Sequence, residues 1–294
     1  MALRQIAIVR DRLIAANPSE LAETGAIEIV TVSTTGGRVQ NRLLAEIGGK
    51  GLFAKEIEEA LLAGDVDLAV HSLKDLETWL PDGLAIACVL PRDDPRDACI
   101  GERASLACLP RGATIGTTSL RRQAQLLRHR PDLSIVPIRG NVNTRIRKRG
   151  RRNRRAGSGP LQSRTARLQR VCDGDPAPRD HAAGGRSRRA RYWCRTADEI
   201  VRQLVSPLHD SVSAACIHAE RAMLAALDGS CRTPIAGFAQ AEGDPLMIEG
   251  LLLTPDGSGE IRGQHQGSLS EAETLGTVLG KELRDRARSG FGLD

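Results

Sequence analysis

The amino-acid sequence predicts an α/β protein that ends in a small α+β domain. Segments with helical period alternate with short apolar strands up to about residue 138, and a strand hairpin followed by a helix closes the chain. The 294 residues are 40% apolar and 27% charged, a globular composition long enough for two or three packed domains.

The sequence carries no signal for membrane insertion, secretion or disulfide bonding. It has no run of eighteen apolar residues, and no hydrophobic segment follows Met1. The seven cysteines are scattered and never form a metal-binding pair with a two-residue gap, and the six histidines lack ligand spacing. We therefore expect a cytoplasmic protein with no membrane contact and no metal site.

The first half of the chain has the pattern of two α/β units with parallel sheets. The first helix should end before Asn17-Pro18, and a second unit should begin near Asp94-Pro95. The helix over residues 53–63 should turn Ile57, Leu61 and Leu62 inward. A further helix is expected over residues 120–128, and strands over residues 27–32, 66–70, 84–90, 113–115 and 133–138.

The C-terminal third predicts helices over residues 196–205 and 212–227, then a hairpin of residues 247–253 and 260–263. A last helix should start with a capping box of Ser270 and Glu273. Its buried stripe is expected to comprise Leu275, Val278, Leu279 and Leu283.

The net charge of +6 comes from one segment, residues 149–193. The segment contains thirteen arginines, no lysine and three aspartates, so it carries +10 and the rest of the chain carries −4. It has only three Leu, Ile or Val residues, and neither helical nor strand period fits it. We expect this segment to build no core and to lack order.

Three segments place ionisable side chains after predicted strands, where open α/β sheets bind their ligands. Residues 70–75 end in Lys74 and Asp75, although a solvated loop is the simpler explanation of such a dipeptide. Residues 117–123 combine hydroxyl groups with two adjacent arginines at a helix start, which suits a carboxylate or phosphate. Residues 139–145 repeat this arrangement, so a polyanionic small molecule is favoured over ordinary surface arginines.

Cys231 lies on a turn between Gly229 and Pro234, next to Arg232. An exposed cysteine beside an arginine could be a nucleophile with a lowered pKa, although a loop cysteine without a role is the simpler reading. The glycine-rich segment of residues 48–51 lacks the spacing of a phosphate-binding loop.

Taken in order, these segments resemble the hydroxymethylbilane synthase family, also called porphobilinogen deaminase. The resemblance covers about residues 3–148 and 194–294, and its motifs are long enough to be specific. They are residues 48–53, 69–75, 94–98, 116–123, 139–145 and 229–231.

The resemblance implies three domains. Two α/β domains similar to type II periplasmic-binding proteins would enclose a cleft, and a smaller α+β domain would carry the cysteine loop. The first domain would span residues 1–92 with a return segment near 190–207, the second residues 93–189 with an aberrant part at 149–189, and the third residues 210–294.

The resemblance also implies an activity and a cofactor. The family joins four porphobilinogen units head to tail with release of ammonia, in haem-type tetrapyrrole biosynthesis. Cys231 would hold a dipyrromethane cofactor through a thioether, and Asp75 would be the catalytic carboxylate that stabilises the cationic azafulvene and pyrrole N–H. Lys50 would belong to a mobile segment near the cleft. The acetate and propionate groups of the pyrroles would bind Ser72, Lys74, Thr117, Ser119, Arg121, Arg122, Arg139 and Arg145.

The sequence departs from the family at two places. The family begins a strand earlier, for which a start codon placed too late is one explanation. Residues 149–193 contain no recognisable family sequence, although the segment has nearly the length that the family has there. This combination is typical of compensating frameshifts in a high-GC gene. A reading of residues 191–193 shifted by one base gives Ala-Ile-Gly, similar to the family's sequence.

Two other interpretations stay open. Residues 149–193 could be an arginine-rich insertion that binds RNA or DNA, although its aromatic residues, Tyr192 and Trp193, lie only at its edge. The chain could also be an inactive, anion-binding relative that keeps the two-lobed fold. We favour a monomeric enzyme that binds porphobilinogen and no nucleic acid.

Overall fold

The computed structural model describes residues 2–32, 55–72, 80–92, 97, 106–138, 144, 190–227, 233–287 and 291. These residues form a mixed α and β architecture built on three small sheets. The helices are α1 Ala2–Ala16, α2 Pro18–Leu21, α3 Lys55–Ala63, α4 Leu120–His129, α5 Glu199–Val205, α6 Ser211–Ala226 and α7 Ala272–Arg286. The strands are β1 Ala69–Ser72, β2 Leu84–Val89, β3 Thr114–Gly116, β4 Ser134–Val136, β5 Ala190–Arg195, β6 Ile235–Ala241, β7 Leu246–Leu253 and β8 Glu260–Gly267. No described helix is both long and apolar enough to cross a membrane.

The first sheet has the order β1-β5-β2, and β5 runs antiparallel to both neighbours. Successive side chains of a strand face opposite sides of the sheet. Tyr192 accordingly packs with Val9 and Leu13 of α1 on one face, and Trp193 packs with Leu61 of α3 on the other. Both aromatic side chains are fully buried, so helices cover this sheet on both faces.

The expectation that residues 149–193 build no core is wrong for the last four of them. Ala190 to Trp193 belong to the central strand β5, where the backbone pairs on both sides and the two aromatic side chains fill the core. These four residues include no Leu, Ile or Val, but the Tyr and Trp side chains bury a large apolar area and so supply the core contacts. Residues 149–189 lie outside the described residues.

The expectation of parallel sheets holds in part. Strands β3 and β4 pair in parallel, with α4 connecting them as in a βαβ unit. In the first sheet, however, the antiparallel β5 separates β1 from β2. This strand comes from far along the chain and enters the sheet from the opposite end, which the alternation of nearby segments cannot reveal.

The C-terminal sheet is an antiparallel meander of order β6-β7-β8 covered by α6 and α7. The two helices can approach closely because Gly276 has no side chain, and a Cβ atom there would clash with the Ala219 carbonyl oxygen. Leu279 and Leu283 of α7 and Met223 of α6 are fully buried in the same core. The segment that carries Cys231 therefore starts and ends on a packed scaffold.

Most of the helices lie near their predicted positions, but several details differ. Residues 27–32 form no strand, because no described strand pairs with them, and Ile29 and Val30 are exposed. Leu62 and Val278 were expected to be buried, but both point away from the core at the edge of their helix faces.

The predicted cap of the last helix was also misplaced. The capping box is formed by Ser268 and Glu271, two residues before the expected pair, and it starts a short 3-10 turn that leads into α7. Strand β6 was not predicted, because its sequence, rich in alanine and glycine, has little of the β-branched content that indicates strands.

An ion pair joins the end of the first sheet to the C-terminal core. The Arg92 Nη1 atom lies 3.2 Å from Glu220 Oε1 and donates to the Ala239 carbonyl oxygen at 3.0 Å. Its guanidinium also stacks over the Phe238 ring, 4.5 Å from the centroid. Because the Glu220 side chain is 1% exposed, this contact fixes α6 against residues just beyond β2.

Candidate active site

The start of helix α4 is the best defined part of the candidate site. The Ser119 hydroxyl accepts a hydrogen bond from the Arg122 backbone N–H, which caps the helix. Thr117 is buried, and its hydroxyl accepts from the Ser119 backbone N–H at 3.1 Å. The two hydroxyl residues predicted as ligands therefore also fix the turn between β3 and α4.

The two arginines of the first turn have different surroundings. Burial lowers the pKa of the Arg121 guanidinium, and the nearby Asp97 carboxylate partly offsets that shift. Arg122 binds Asp97 through both guanidinium branches, with Nε to Oδ2 at 2.8 Å and Nη2 to Oδ1 at 2.5 Å. This bidentate geometry is the one that a guanidinium adopts toward any carboxylate.

The first turn of α4 contains no acidic residue, although the positive end of a helix dipole favours acidic side chains there. Arg121 and Arg122 bring positive charge to this helix end, and the Asp97 carboxylate balances that of Arg122. Such an end can bind the carboxylates of a ligand, with hydroxyl and backbone N–H donors beside the guanidinium groups.

The strand ends position two of the predicted segments. Strands β3 and β4 are parallel, so both end at the same edge of their sheet, and Thr117 directly follows β3. The Thr117 N–H continues the ladder by donating to the Val136 carbonyl oxygen at 3.0 Å. In the first sheet, β1 ends at Ser72, which pairs with Ala190 through its backbone.

Six of the predicted site residues lie outside the described residues, namely Lys50, Lys74, Asp75, Arg139, Arg145 and Cys231. The structure places Thr117, Ser119, Arg121 and Arg122 together at one helix start, and it places the backbone of Ser72 at the end of β1. Among the described residues, no group of three or more His, Cys, Asp or Glu side chains could hold a metal ion.

The surroundings of Cys231 are fixed on both sides. Helix α6 ends at Ala226, and β6 starts at Ile235 just after the buried Thr233. Ala236 of β6 packs in one cluster with Ala124 of α4.

The sequence analysis assigned no role to Asp97, Arg92 or Gly257. Asp97 lies in one of the motifs that carry the family resemblance, which could have pointed to it, whereas its pairing with Arg122 depends on the tertiary fold. Arg92 and Gly257 make contacts across more than a hundred residues, which no local pattern indicates.

Comparison with known proteins identifies the family. The family model "Porphobilinogen deaminase, dipyromethane cofactor binding domain" matches residues 1–157, and "Porphobilinogen deaminase, C-terminal domain" matches residues 214–285. The porphobilinogen deaminase of Paracoccus denitrificans (strain Pd 1222) is 43% identical over 293 residues, which cover 99% of this chain and 93% of that protein. The porphobilinogen deaminase of Nitrobacter hamburgensis (strain DSM 10229 / NCIMB 13809 / X14) is 44% identical over 303 residues, which cover 99% and 92%. The chain belongs to the porphobilinogen deaminase family.

Proposed function

We propose that this chain is a transferase that joins four porphobilinogen units head to tail into hydroxymethylbilane and releases ammonia at each step. The observation that carries the proposal is the match of residues 1–157 to a dipyrromethane-binding domain, in the region where the structure places an arginine-rich helix start. The donors at that helix start are the types that bind the acetate and propionate groups of pyrroles.

The proposal includes a division into three domains. Residues 1–92 with the return segment 190–207, and residues 93–189, would form two lobes similar to type II periplasmic-binding proteins. Residues 210–294 would form the third domain. The placement of β5 between β1 and β2 supports this division, because it brings the chain back to the first sheet before α6 begins.

The residues present fit a cofactor that bears several carboxylates. Arg121 supplies a guanidinium group, and Arg122 would supply a second one by exchanging Asp97 for a ligand carboxylate. Thr117 and Ser119 supply hydroxyls at the same helix start. When bound through a thioether to Cys231, dipyrromethane supplies a primer with a nucleophilic pyrrole carbon. In this proposal Ser72, Lys74, Arg139 and Arg145 hold the remaining carboxylates from the other strand ends.

Asp75 is the proposed catalytic carboxylate, three residues beyond the end of β1. As ammonia leaves the substrate's aminomethyl carbon, positive charge develops on the substrate's pyrrole ring. A carboxylate that accepts the pyrrole N–H stabilises this charge, and it can take up the proton lost when the new carbon–carbon bond has formed. Lys50 is proposed to act on a segment near the same cleft.

Two substitutions test this proposal. Asp75→Asn should abolish turnover of porphobilinogen and leave the covalent adduct in the intact mass, because the anchor is unchanged. Cys231→Ser should carry no adduct. Normal turnover by the first variant would refute the catalytic role, and an adduct on the second would place the anchor on another residue.

We also propose that residues 149–193 result from compensating frameshifts. The match to the cofactor-binding domain ends at residue 157, while alignment to the relatives continues over the full length of the chain. The Tyr192 hydroxyl is buried without a hydrogen-bond partner among the described residues, a cost that an aliphatic residue at this position would not have. Resequencing the source DNA across this segment tests the proposal. A DNA sequence that encodes residues 149–193 in one continuous reading frame would refute it.

If the printed frame is correct, the segment supports a second candidate, a non-catalytic relative that binds anions. That protein would bind porphobilinogen, which equilibrium dialysis detects, but would carry no adduct and form no bilane. We propose that the native enzyme is a cytoplasmic monomer, which sedimentation velocity tests.

A further inference from the structure

Helix α4 carries different residues at its two ends. Its first turn holds Ser119, Arg121 and Arg122, which belong to the proposed cofactor site. The rest of the helix lies against the C-terminal sheet, where Ala124 packs with Ala236 of β6 and two leucines of β7. A shift of this part therefore moves the first turn, because a helix of ten residues transmits the displacement as one body.

The surface that receives α4 includes the turn between β7 and β8, residues 254–259, which we call the docking turn. Gly257 of this turn has φ +74°, and a Cβ atom there would lie 2.6 Å from both the Ala124 carbonyl oxygen and the Arg128 backbone nitrogen. Both atoms belong to the helix backbone and cannot rotate away. Only glycine allows the turn and the helix to approach this closely.

Polar contacts surround this approach. Arg128 Nε donates to Glu260 Oε2 at 3.1 Å, and Arg128 Nη1 donates to the Ser258 carbonyl oxygen at 3.4 Å. On the other side of Gly257, Gln123 Nε2 donates to the Pro255 carbonyl oxygen at 3.4 Å. The helix is therefore held on both sides of the glycine contact. The hydrogen bonds fix where the helix lies along the docking turn, and the glycine contact fixes how close it lies to the turn.

The docking turn has its own internal hydrogen bonds. The Asp256 carboxylate accepts from the Thr254 hydroxyl at 2.5 Å and from the backbone N–H and hydroxyl of Ser258 at 3.1 and 2.8 Å. The Gly259 N–H donates to the Thr254 hydroxyl at 2.8 Å. These bonds lie within the turn, so they hold its conformation independently of its contacts with the helix.

We propose that the docking turn, through Gly257 and the Arg128–Glu260 pair, positions the arginine end of α4 and thereby sets the affinity for the pyrrole carboxylates. This inference rests on the proposed function. Gly257 and Arg128 are positioning residues, since they act through Arg121 and Arg122.

Gly257→Ala tests the proposal, with Gly243→Ala as the matched control. Gly243 also has a positive φ, +80°, in a turn of the same sheet, but a Cβ atom there meets nothing within 4 Å. Both variants strain the backbone, and only the first displaces α4. Because the arginines bind carboxylates and Asp75 acts on the reacting atoms, Gly257→Ala should raise the KM for porphobilinogen about 10-fold to 100-fold, with a smaller change in kcat.

Arg128→Gln is a milder second variant, should Gly257→Ala fail to fold. Its control is Arg286→Gln, since Arg286 also binds one carboxylate and one carbonyl oxygen, but within the C-terminal domain. Arg128→Gln should raise KM about two- to fivefold, and Arg286→Gln should leave it unchanged.

The outcomes separate the two claims. If wild type and both controls carry the adduct and turn over porphobilinogen, the proposed function stands. The positioning role is then overturned if Gly257→Ala and Gly243→Ala have equal KM values. It is also overturned if Gly257→Ala changes only kcat, in proportion to the fraction of folded protein. If Gly257→Ala does not fold, equal KM values for Arg128→Gln and wild type overturn it. If wild type carries no adduct and forms no bilane, both claims fall.

Discussion

The ion pair between Arg92 and Glu220 gives the sharpest prediction about stability. In an Arg92→Met variant, the methionine can fill the space of the arginine stem, but the Glu220 carboxylate loses its cation. Glu220 Oε1 would keep only the Ala239 N–H, which donates at 2.9 Å, and Glu220 Oε2 has no hydrogen-bond partner among the described residues.

The size of the effect follows from burial. The Glu220 side chain is 1% exposed and that of Arg92 is 13% exposed, so water cannot replace the lost partner. Removing one member of a buried pair costs about 3–5 kcal/mol. For a chain of this length, at about 2 °C per kcal/mol, we expect the melting temperature to fall by roughly 6–10 °C.

Differential scanning calorimetry measures this shift, with two comparison variants. Lys55→Gln removes an exposed pair, in which Nζ lies 3.7 Å from Glu59 Oε1, and should lower the melting temperature by only about 1 °C. Arg92→Met combined with Glu220→Gln should recover most of the loss, because the amide still accepts from Ala239 and no charge is buried. If the single Arg92→Met variant had the same melting temperature as the Lys55→Gln variant, the argument would be refuted.

Two further predictions concern titratable groups. Hydrogen bonds from Thr254 and then Ser258 lower the pKa of Asp256 to about 2, so their stabilising effect is complete above its ordinary pKa of about 3.9 and is lost as the pH falls toward about 2. Urea unfolding between pH 5 and 2 should therefore show a steeper loss of stability for wild type than for Asp256→Asn, and equal slopes would contradict the assignment. Burial raises the pKa of the Cys88 thiol to about 12, whereas Cys108 is exposed. Iodoacetamide at pH 8 should label Cys108 in the native protein and Cys88 only after unfolding, and peptide mapping that finds Cys88 labelled first would contradict the fold.

Local signals predicted the parts of the structure that depend on neighbouring residues. The helix start at Ser119 was predictable because a hydroxyl cap, a preceding strand and the arginines of the first turn lie within a few residues. The helix that contains Leu61 was predictable from its period, although the period did not place Leu62, which lies at the edge of the buried face.

Contacts between distant segments were not predictable in this way. Tyr192 and Trp193 belong to a segment whose composition argues against a core, yet β5 buries them because two strands from elsewhere in the chain accept it. The Arg122–Asp97 pair and the close approach of Gly257 to α4 likewise depend on how separate units pack. The motifs identified the family, but they do not reveal what holds α4 in place.

The most direct test of the central claim is the intact mass of the purified protein, followed by peptide mapping. The account predicts a dipyrromethane adduct on the peptide that contains Cys231 and no adduct in the Cys231→Ser variant. A wild-type mass that equals the bare chain, or an adduct on another peptide, would contradict it.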